Sequence, residues 1–255
     1  MARKAVGIDI GGTGIKGAVV DLDTGELVVD RIKKDTPEGG EPDAIVAVVK
    51  EIVDELGVTD ADVPVGVCFP AAIQDGKTLS AANVSKKWIG FEAEALFERT
   101  LGRSIHFVND ADAAGFAEAR FGAAKDVPGL VVMTTLGTGI GTALLHDGTL
   151  IVNAELGHLE IGGKDYETKA SYAAKEREDL SWEHWAKRLQ KYYSHLEALL
   201  YPRLIVVGGG VSKHHQKFLP LLDLRADIVP ATLRNAAGIM GAAALADESA
   251  PARQQ

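Results

Sequence analysis

Asp9-Ile10-Gly11-Gly12-Thr13-Gly14 closes one apolar run and opens another. Glycines at such a turn are expected to supply positive φ and to let backbone N–H groups reach an anion without side-chain obstruction. The Thr13 hydroxyl adds a donor, and Lys16 is either a positive charge beside the loop or a solvated strand-edge lysine. Asp9, at the end of a buried strand, suits Mg²⁺ or its water near phosphates. The motif lacks the Gly-Lys-Ser/Thr ending of a Walker loop. It is also followed by a strand rather than a helix, which separates it from a dinucleotide fingerprint. A tight hairpin with a capping Asp is the plainer alternative. The segment Thr134–Gly141 supplies a second cradle of this kind, from Thr135, Gly137, Thr138 and Gly139. Two such loops facing one another across a cleft would grip a phosphate chain from both sides.

Three further groups carry chemistry. Asn109-Asp110 ends a strand where a helix begins, the edge at which open α/β sheets bind ligands. A carboxylate there takes a proton from an attacking hydroxyl or caps the helix; Asp110 and Asp112 both suit a cap. In Glu155-Leu156-Gly157-His158, the Glu and the His share a face if the segment is a helical turn. Carboxylates bind sugar hydroxyls as paired acceptors, whereas a His with no nearby Cys is a weak metal set. Glu160 and Glu167 are either part of such a site or surface residues.

The elements that must position these groups follow an α/β order. Strands are expected at Ala5–Ile10, Ala18–Leu22, Leu27–Arg31, Val63–Phe69 and Ser104–Val108. Helices are expected at Pro42–Leu56, Glu92–Leu101 and Ala111 to about Phe121. The pattern restarts after Pro128, with strands at Leu130–Thr135, Thr142–Leu145 and Leu150–Val152. Gly12-Thr13-Gly14-Ile15 superposes on Gly137-Thr138-Gly139-Ile140 at an offset of 125 residues, and Ala18 falls on Ala143. An offset near half the chain length points to a duplicated fold. Ser171–Leu200 reads as two helices meeting at Ser181, an N-cap. Its aromatics Trp182, Trp185, Tyr192 and Tyr193 suit a core or an interface. Leu204–Val207 runs into Gly208-Gly209-Gly210, then Ile228–Leu233 is a strand and Asn235–Ala246 a small-residue helix. Ser249–Gln255 has the composition of a tail.

The bulk properties bound the function. The 255 residues are 25% charged and 46% hydrophobic, as in an ordinary globular protein. A net charge of −9 disfavours nucleic acid and membrane surfaces as partners. Cys68 stands alone in the apolar run Val65–Phe69, so no internal disulfide forms and a reducing compartment is expected. No signal-peptide pattern precedes Ala5 and no apolar run approaches the roughly 20 residues of a membrane span, so the expected location is the cytoplasm.

Taken jointly, Asp9-Ile10-Gly11-Gly12-Thr13, Asn109-Asp110, Leu136-Gly137-Thr138-Gly139, Glu155-Leu156-Gly157-His158 and Gly208-Gly209-Gly210 resemble the ROK family of sugar kinases, from about Ala5 to Ala246. The resemblance implies the actin-like ATPase (ribonuclease H-like) α/β fold, two lobes with duplicated mixed sheets flanked by helices. The lobes would be residues 1–108, completed by a helix at about 235–248, and residues 109–234. It implies Asp110 as the catalytic base for a sugar hydroxyl. It implies sugar contacts from Asn83 (with Trp88), Asn109, Glu155, His158 and Glu167, whose Thr168-Lys169-Ala170-Ser171 follows the family's Glu before an Ala-Ser pair. Gly208–Gly210 match the element beside adenosine. Many members carry a three-cysteine zinc motif just before that Glu, with the His as fourth ligand. Gly162–Tyr166 holds no Cys, which implies no zinc and leaves His158 to the sugar. Short, cysteine-free members resemble the bacterial polyphosphate glucokinases, some of which also use ATP and phosphorylate mannose. The segments Gly12–Ala18 and Leu233–Gly238 look like that subgroup. The implied cofactor is Mg²⁺ near Asp9, and the implied donor is polyphosphate or ATP. The implied acceptor is glucose, with mannose second, and the implied assembly is a homodimer through Trp182–Tyr193. An ATP-only hexose, fructose or amino-sugar kinase, or a non-catalytic sugar sensor, shares these motifs. For polyphosphate, Lys16, Lys86, Lys87, Arg103 and Arg234 are groove candidates or surface charge.

Overall fold

A computed structural model describes residues 3–250. The chain divides into two compact units, residues 1–117 with 236–255 and residues 118–235. In the first unit β1 (Lys4–Ile10) and β2 (Gly14–Asp21) form a hairpin, followed by β3 (Ile32–Asp35), α1 (Pro42–Glu55) and β4 (Val65–Phe69). Three short strands come next, β5 (Ile73–Gln74), β6 (Lys77–Thr78) and β7 (Phe91–Glu92), then α2 (Ala93–Leu101), β8 (His106–Asn109) and α3 (Asp110–Phe121). The main sheet has the order β3-β2-β1-β4-β8, antiparallel among the first three strands and parallel beyond β1.

The second unit repeats this plan. It contains β9 (Leu130–Leu136), β10 (Ile140–His146), β11 (Thr149–Ile151), α4 (Glu167–Ala170), α5 (Tyr172–Arg177), α6 (Trp182–Leu200), β12 (Leu204–Gly208) and β13 (Asp227–Pro230). Its sheet order β11-β10-β9-β12-β13 has the same sequence of antiparallel and parallel pairings. The duplication read from the glycine motifs is therefore a duplication of topology. Finally α7 (Ala237–Ser249) returns to the first unit. No helix of the described residues is long and apolar enough to cross a membrane.

Where apolar periodicity is strong, residues and elements agree. α1 buries Ile45, Val46, Val49, Ile52 and Val53 on one face, each worth about 1.5–3 kcal/mol of burial. Ser181 caps α6 through the His184 N–H, which donates at 3.2 Å. The aromatics of α6 face inward. Trp185, Tyr192 and Tyr193 are fully buried, and the indole of Trp185 donates to the Ala170 carbonyl at 2.9 Å.

The third strand differs from expectation. Leu27–Arg31 makes only a bridge from Leu27 to Val20, and Val28 and Val29 are exposed. The strand is instead the lysine-bearing Ile32–Asp35, paired with Gly14–Gly17. An edge strand buries one face and tolerates lysine on the other, so hydrophobicity points to the wrong segment. The sheet β5-β6-β7 was not expected either, since strands of two residues carry no readable period. The last strand ends at Pro230 rather than Leu233, and α7 runs to Ser249, leaving 251–255 of the expected tail outside the described residues.

α7 meets the first sheet backbone to backbone. A Cβ placed on Gly7 would stand 1.9 Å from the Ile239 carbonyl oxygen, and one on Gly66 would stand 1.8 Å from that of Ala242. On the helix itself, a Cβ on Gly241 would stand 1.8 Å from the Ala113 carbonyl oxygen of α3. Three glycines on three elements thus admit one small-residue helix. In the second unit, the buried carboxylate of Glu118 accepts from Ala123 N (2.7 Å), Leu233 N (2.7 Å) and the Thr232 hydroxyl (3.0 Å). It holds the end of α3 to the segment that leads into α7. Because neither backbone can retreat from the other, Gly66→Ala is expected to destabilise the protein by about 3 kcal/mol or more in urea unfolding. An unchanged midpoint would show that α7 can dock at a greater distance.

Candidate active site

In the first unit, the β1–β2 register places Asp9 opposite Lys16. Directly opposed side chains share a sheet face, and Lys16 Nζ lies 3.1 Å from Asp9 Oδ2. The other carboxylate oxygen, Oδ1, is 3.6 Å from the thiol of Cys68, which is also 3.6 Å from the Gly238 carbonyl. Burial pushes the Cys68 thiol well up, with the neighbouring Asp9 charge adding to it, so Cys68 is a neutral donor. Gly238 allows this packing, since a Cβ there would sit 3.0 Å from Asp9 Cγ. Each Asp9 oxygen therefore has one donor, and a carboxylate offers about four acceptor positions. The remaining ones suit a Mg²⁺ ion or the water such an ion keeps.

The glycines of the turn between these strands do not supply the positive φ expected of them. None of Gly11, Gly12 and Gly14, nor Gly137 and Gly139 of the second hairpin, has positive φ. At Gly12 and Gly139 the missing side chain allows close approach. A Cβ on Gly12 would lie 2.7 Å from Asn83 Cβ, and one on Gly139 would lie 2.5 Å from Glu167 Oε2. Only Gly209 of the triple glycine is left-handed, at φ +80°, where a Cβ would also strike the Leu136 carbonyl at 2.4 Å. Gly208 ends β12 and Gly210 opens a 3-10 helix. Asn83, itself at φ +60°, stands against the phosphate-type turn.

The helix at Asn109-Asp110 is capped by the Asn. Its Oδ1 accepts from Ala111 N at 2.8 Å and Asp112 N at 3.1 Å, while Nδ2 donates to the Ala71 carbonyl at 2.9 Å. Asp110 occupies the first position of α3, half-buried, where the helix dipole favours a carboxylate. Asp112 lies buried within the first turn.

In the second unit, Leu156–His158 is the expected helical turn, in 3-10 form, which brings Glu155 and His158 onto one side. Glu167 joins this cluster to the second hairpin. Its Oε2 accepts from Ile140 N at 2.9 Å and its Oε1 lies 3.9 Å from His158 Nδ1. His158 is not left wholly to a ligand: Nδ1 is 2.8 Å from Asp165 Oδ2, which leaves Nε2. That hydrogen bond, helped by the charges of Glu167, Asp165 and Glu155, raises the imidazole above its ordinary value against the opposing effect of burial. Asp165 also accepts from Glu167 N at 3.2 Å. The sequence offered no signal for Asp165 beyond its place between His158 and Glu167. Ligand-type atoms of His158, Asp165 and Glu167 lie within 4.8 Å of one another, without a thiolate. Thr135 and Thr138 remain beside the hairpin, whereas Thr134 is bound to the Tyr193 hydroxyl at 2.8 Å in the core.

Lys86, Lys87 and Arg103 have partners of their own. Lys86 donates to the Ala81 carbonyl at 3.1 Å and Lys87 pairs with Glu41 at 2.8 Å. Arg103 clamps the carbonyls of Asp60, Ala61 and Val63. Arg234 lies at φ +51° in the second unit. A cavity of about 760 Å³ beside Arg103, lined by Val63, His106 and Ala246 among others, contains none of the sugar or phosphate residues above.

With this geometry in view, the relatives are informative. The family model described as ROK family matches residues 5–175. The polyphosphate glucokinase of Mycobacterium tuberculosis is 47% identical over 242 residues, which cover 94% of this chain and 90% of that protein. The inorganic polyphosphate/ATP-glucomannokinase of Arthrobacter sp. strain KM is 51% identical and superposes with a TM-score of 0.92, covering 97% of this chain and 99% of that one. A ROK family glucokinase from Streptomyces griseus, solved with glucose and AMPPNP, is 25% identical with a TM-score of 0.80, over 96% of this chain and 100% of that one. The duplicated mixed sheets are those of the actin-like ATPase fold, and the chain belongs to the ROK family.

Proposed function

We propose that the protein is a polyphosphate- and ATP-dependent glucokinase, transferring the terminal phosphoryl group to the 6-hydroxyl of glucose and, as a second acceptor, of mannose. The observation that carries this reading is the 51% identity to a polyphosphate/ATP-glucomannokinase over nearly the whole of both chains. Asn83, Asn109, Asp110, Glu155, His158 and Glu167 are the sugar-binding residues of this reading. Residues 1–108 with the helix at about 235–248, and residues 109–234, act as the two functional lobes. Asp110 takes the proton of the 6-hydroxyl as its oxygen forms a bond to phosphorus and the bridging bond to the donor breaks. Gly11–Gly14 with Thr13 and Lys16, and Thr135, Gly137, Thr138 and Gly139, position the phosphates. Gly208–Gly210 lie beside adenosine when ATP is the donor. Asp9 holds Mg²⁺ through water, and the ion supplies charge neutralisation when bound. No zinc takes part. The enzyme works in the cytoplasm as a homodimer, with the exposed Leu199 and Tyr201 at the end of α6 as apolar surface on that side.

Positioning and electrostatics account for most of such a rate, so the base is the sharpest point to test. Asp110→Asn should lower kcat by about 10²–10⁴-fold while glucose affinity changes little; near-normal turnover would refute the assignment. The donor and acceptor reading is checked by measuring hexose 6-phosphate with ATP and with nucleotide-free polyphosphate across glucose, mannose, fructose and N-acetylmannosamine. Product from both donors with glucose and mannose is expected. ATP alone would mark an ATP-only kinase, and no product from any pair would mark a sugar sensor.

His158 gives a pH-linked outcome. Its folded pKa lies above the ordinary 6.5 because Asp165 holds the protonated ring. The associated stability is full below pH 6.5 and disappears as pH rises through the folded value. NMR titration of the His158 ring should show this elevation, and Asp165→Asn should bring the midpoint back down. A midpoint that does not move would remove Asp165 as its cause.

A further inference from the structure

Polyphosphate poses a problem that ATP does not. It has no base to recognise, so every contact behind the transferred phosphoryl group must come from groups that bind phosphate. The chain carries −9 overall and so repels a polyanion at long range. The attraction must therefore be local, from a cation that no carboxylate already neutralises.

The register of the first sheet shows where such a cation stands. Asp9 opposes Lys16 across β1–β2, and Lys16 opposes Lys33 across β2–β3. Opposed residues share a face, so Asp9, Lys16 and Lys33 form one row running outward from the phosphate-type turn to the sheet edge. Gly14, two residues from Lys16, is on that same face. Its missing side chain makes room for the Lys33 stem: a Cβ on Gly14 would lie 3.1 Å from Lys33 Cε and 4.0 Å from its Nζ. The stem is thereby laid beside the turn instead of projecting freely from the edge.

The neighbouring cations are committed. Lys16 pairs with Asp9, Lys34 with Glu51 and Glu55, and Lys87 with Glu41. Lys33 is exposed and has no carboxylate partner among the described residues. An ammonium in that state displaces cations condensed on the polyphosphate when it binds a phosphate, which favours binding and makes it salt-dependent.

We propose that Lys33 is a polyphosphate-binding residue, holding the phosphate units behind the one being transferred. The proposal rests on the glucokinase reading above. It assigns donor discrimination to the edge of the first sheet.

The test compares wild type, Lys33→Ala and Lys33→Arg with saturating glucose, using ATP or nucleotide-free polyphosphate of defined length over a range of NaCl. The ratio of kcat/KM for polyphosphate to that for ATP should fall about tenfold in Lys33→Ala, through KM, and return in Lys33→Arg. The slope of log KM for polyphosphate against log salt should shrink by about one, as for one lost phosphate contact. An unchanged ratio, or parallel losses with both donors, would overturn the proposal. Should wild type use ATP but not polyphosphate, the donor reading itself would fail and Lys33 with it, whereas the kinase assignment would stand. Tm values for the variants exclude a folding defect, since an exposed edge lysine supports no core.

Discussion

The approach of α7 to the first sheet governs more of this molecule than any other contact. Gly7 and Gly66 place carbonyls of the helix where side chains would otherwise be, and Gly241 does the same against α3. The consequence reaches the chemistry, because Gly238 on the same helix is pressed against Asp9 and Cys68. Were α7 to ride higher on larger residues, the buried thiol and the Gly238 backbone would no longer define where the Asp9 carboxylate points. The requirement for small residues in Ala237–Ala246 is thus set by the site as much as by the core.

Side chains of the candidate site are also fixed by hydrogen bonds to the backbone around them. Asn109 satisfies two orphan amides of α3, and Asp110 at the helix start accepts from one of the same amides, Ala111 N, at 2.8 Å. Glu167 accepts from Ile140 in the glycine hairpin while standing 3.9 Å from the His158 ring. Such groups carry little rotational freedom to lose when a ligand arrives, which is the advantage of preorganisation.

How much of this could be read in the residues varies with the physics involved. The duplication was legible because the Gly-Thr-Gly-Ile repeat marks equivalent hairpins. α1 was legible because its apolar period is strong, and Ser181 because capping chemistry is local. β3 was not, since an edge strand with Lys33 and Lys34 looks polar. The positive φ expected of the hairpin glycines is absent for a related reason. Composition cannot distinguish a glycine needed for positive φ from one needed for a neighbour such as Asn83 or Glu167. Asp165 was missed because its pairing with His158 depends on the loop between them, and nothing in the letters announces it.

Glu118 has a consequence for how the chain assembles. The second unit inserts 118 residues between Ala117 and Ala236, a long separation for a helix that must complete the first sheet. Yet Glu118 binds Thr232 and Leu233 within the second unit, so once that unit is ordered its exit lies beside its entrance. The loop that α7 must close then shrinks from the whole insertion to a few residues, a saving of about 3 kcal/mol in closure entropy. One buried carboxylate therefore favours an order of events in which the inserted unit forms first and the first sheet receives its helix afterwards.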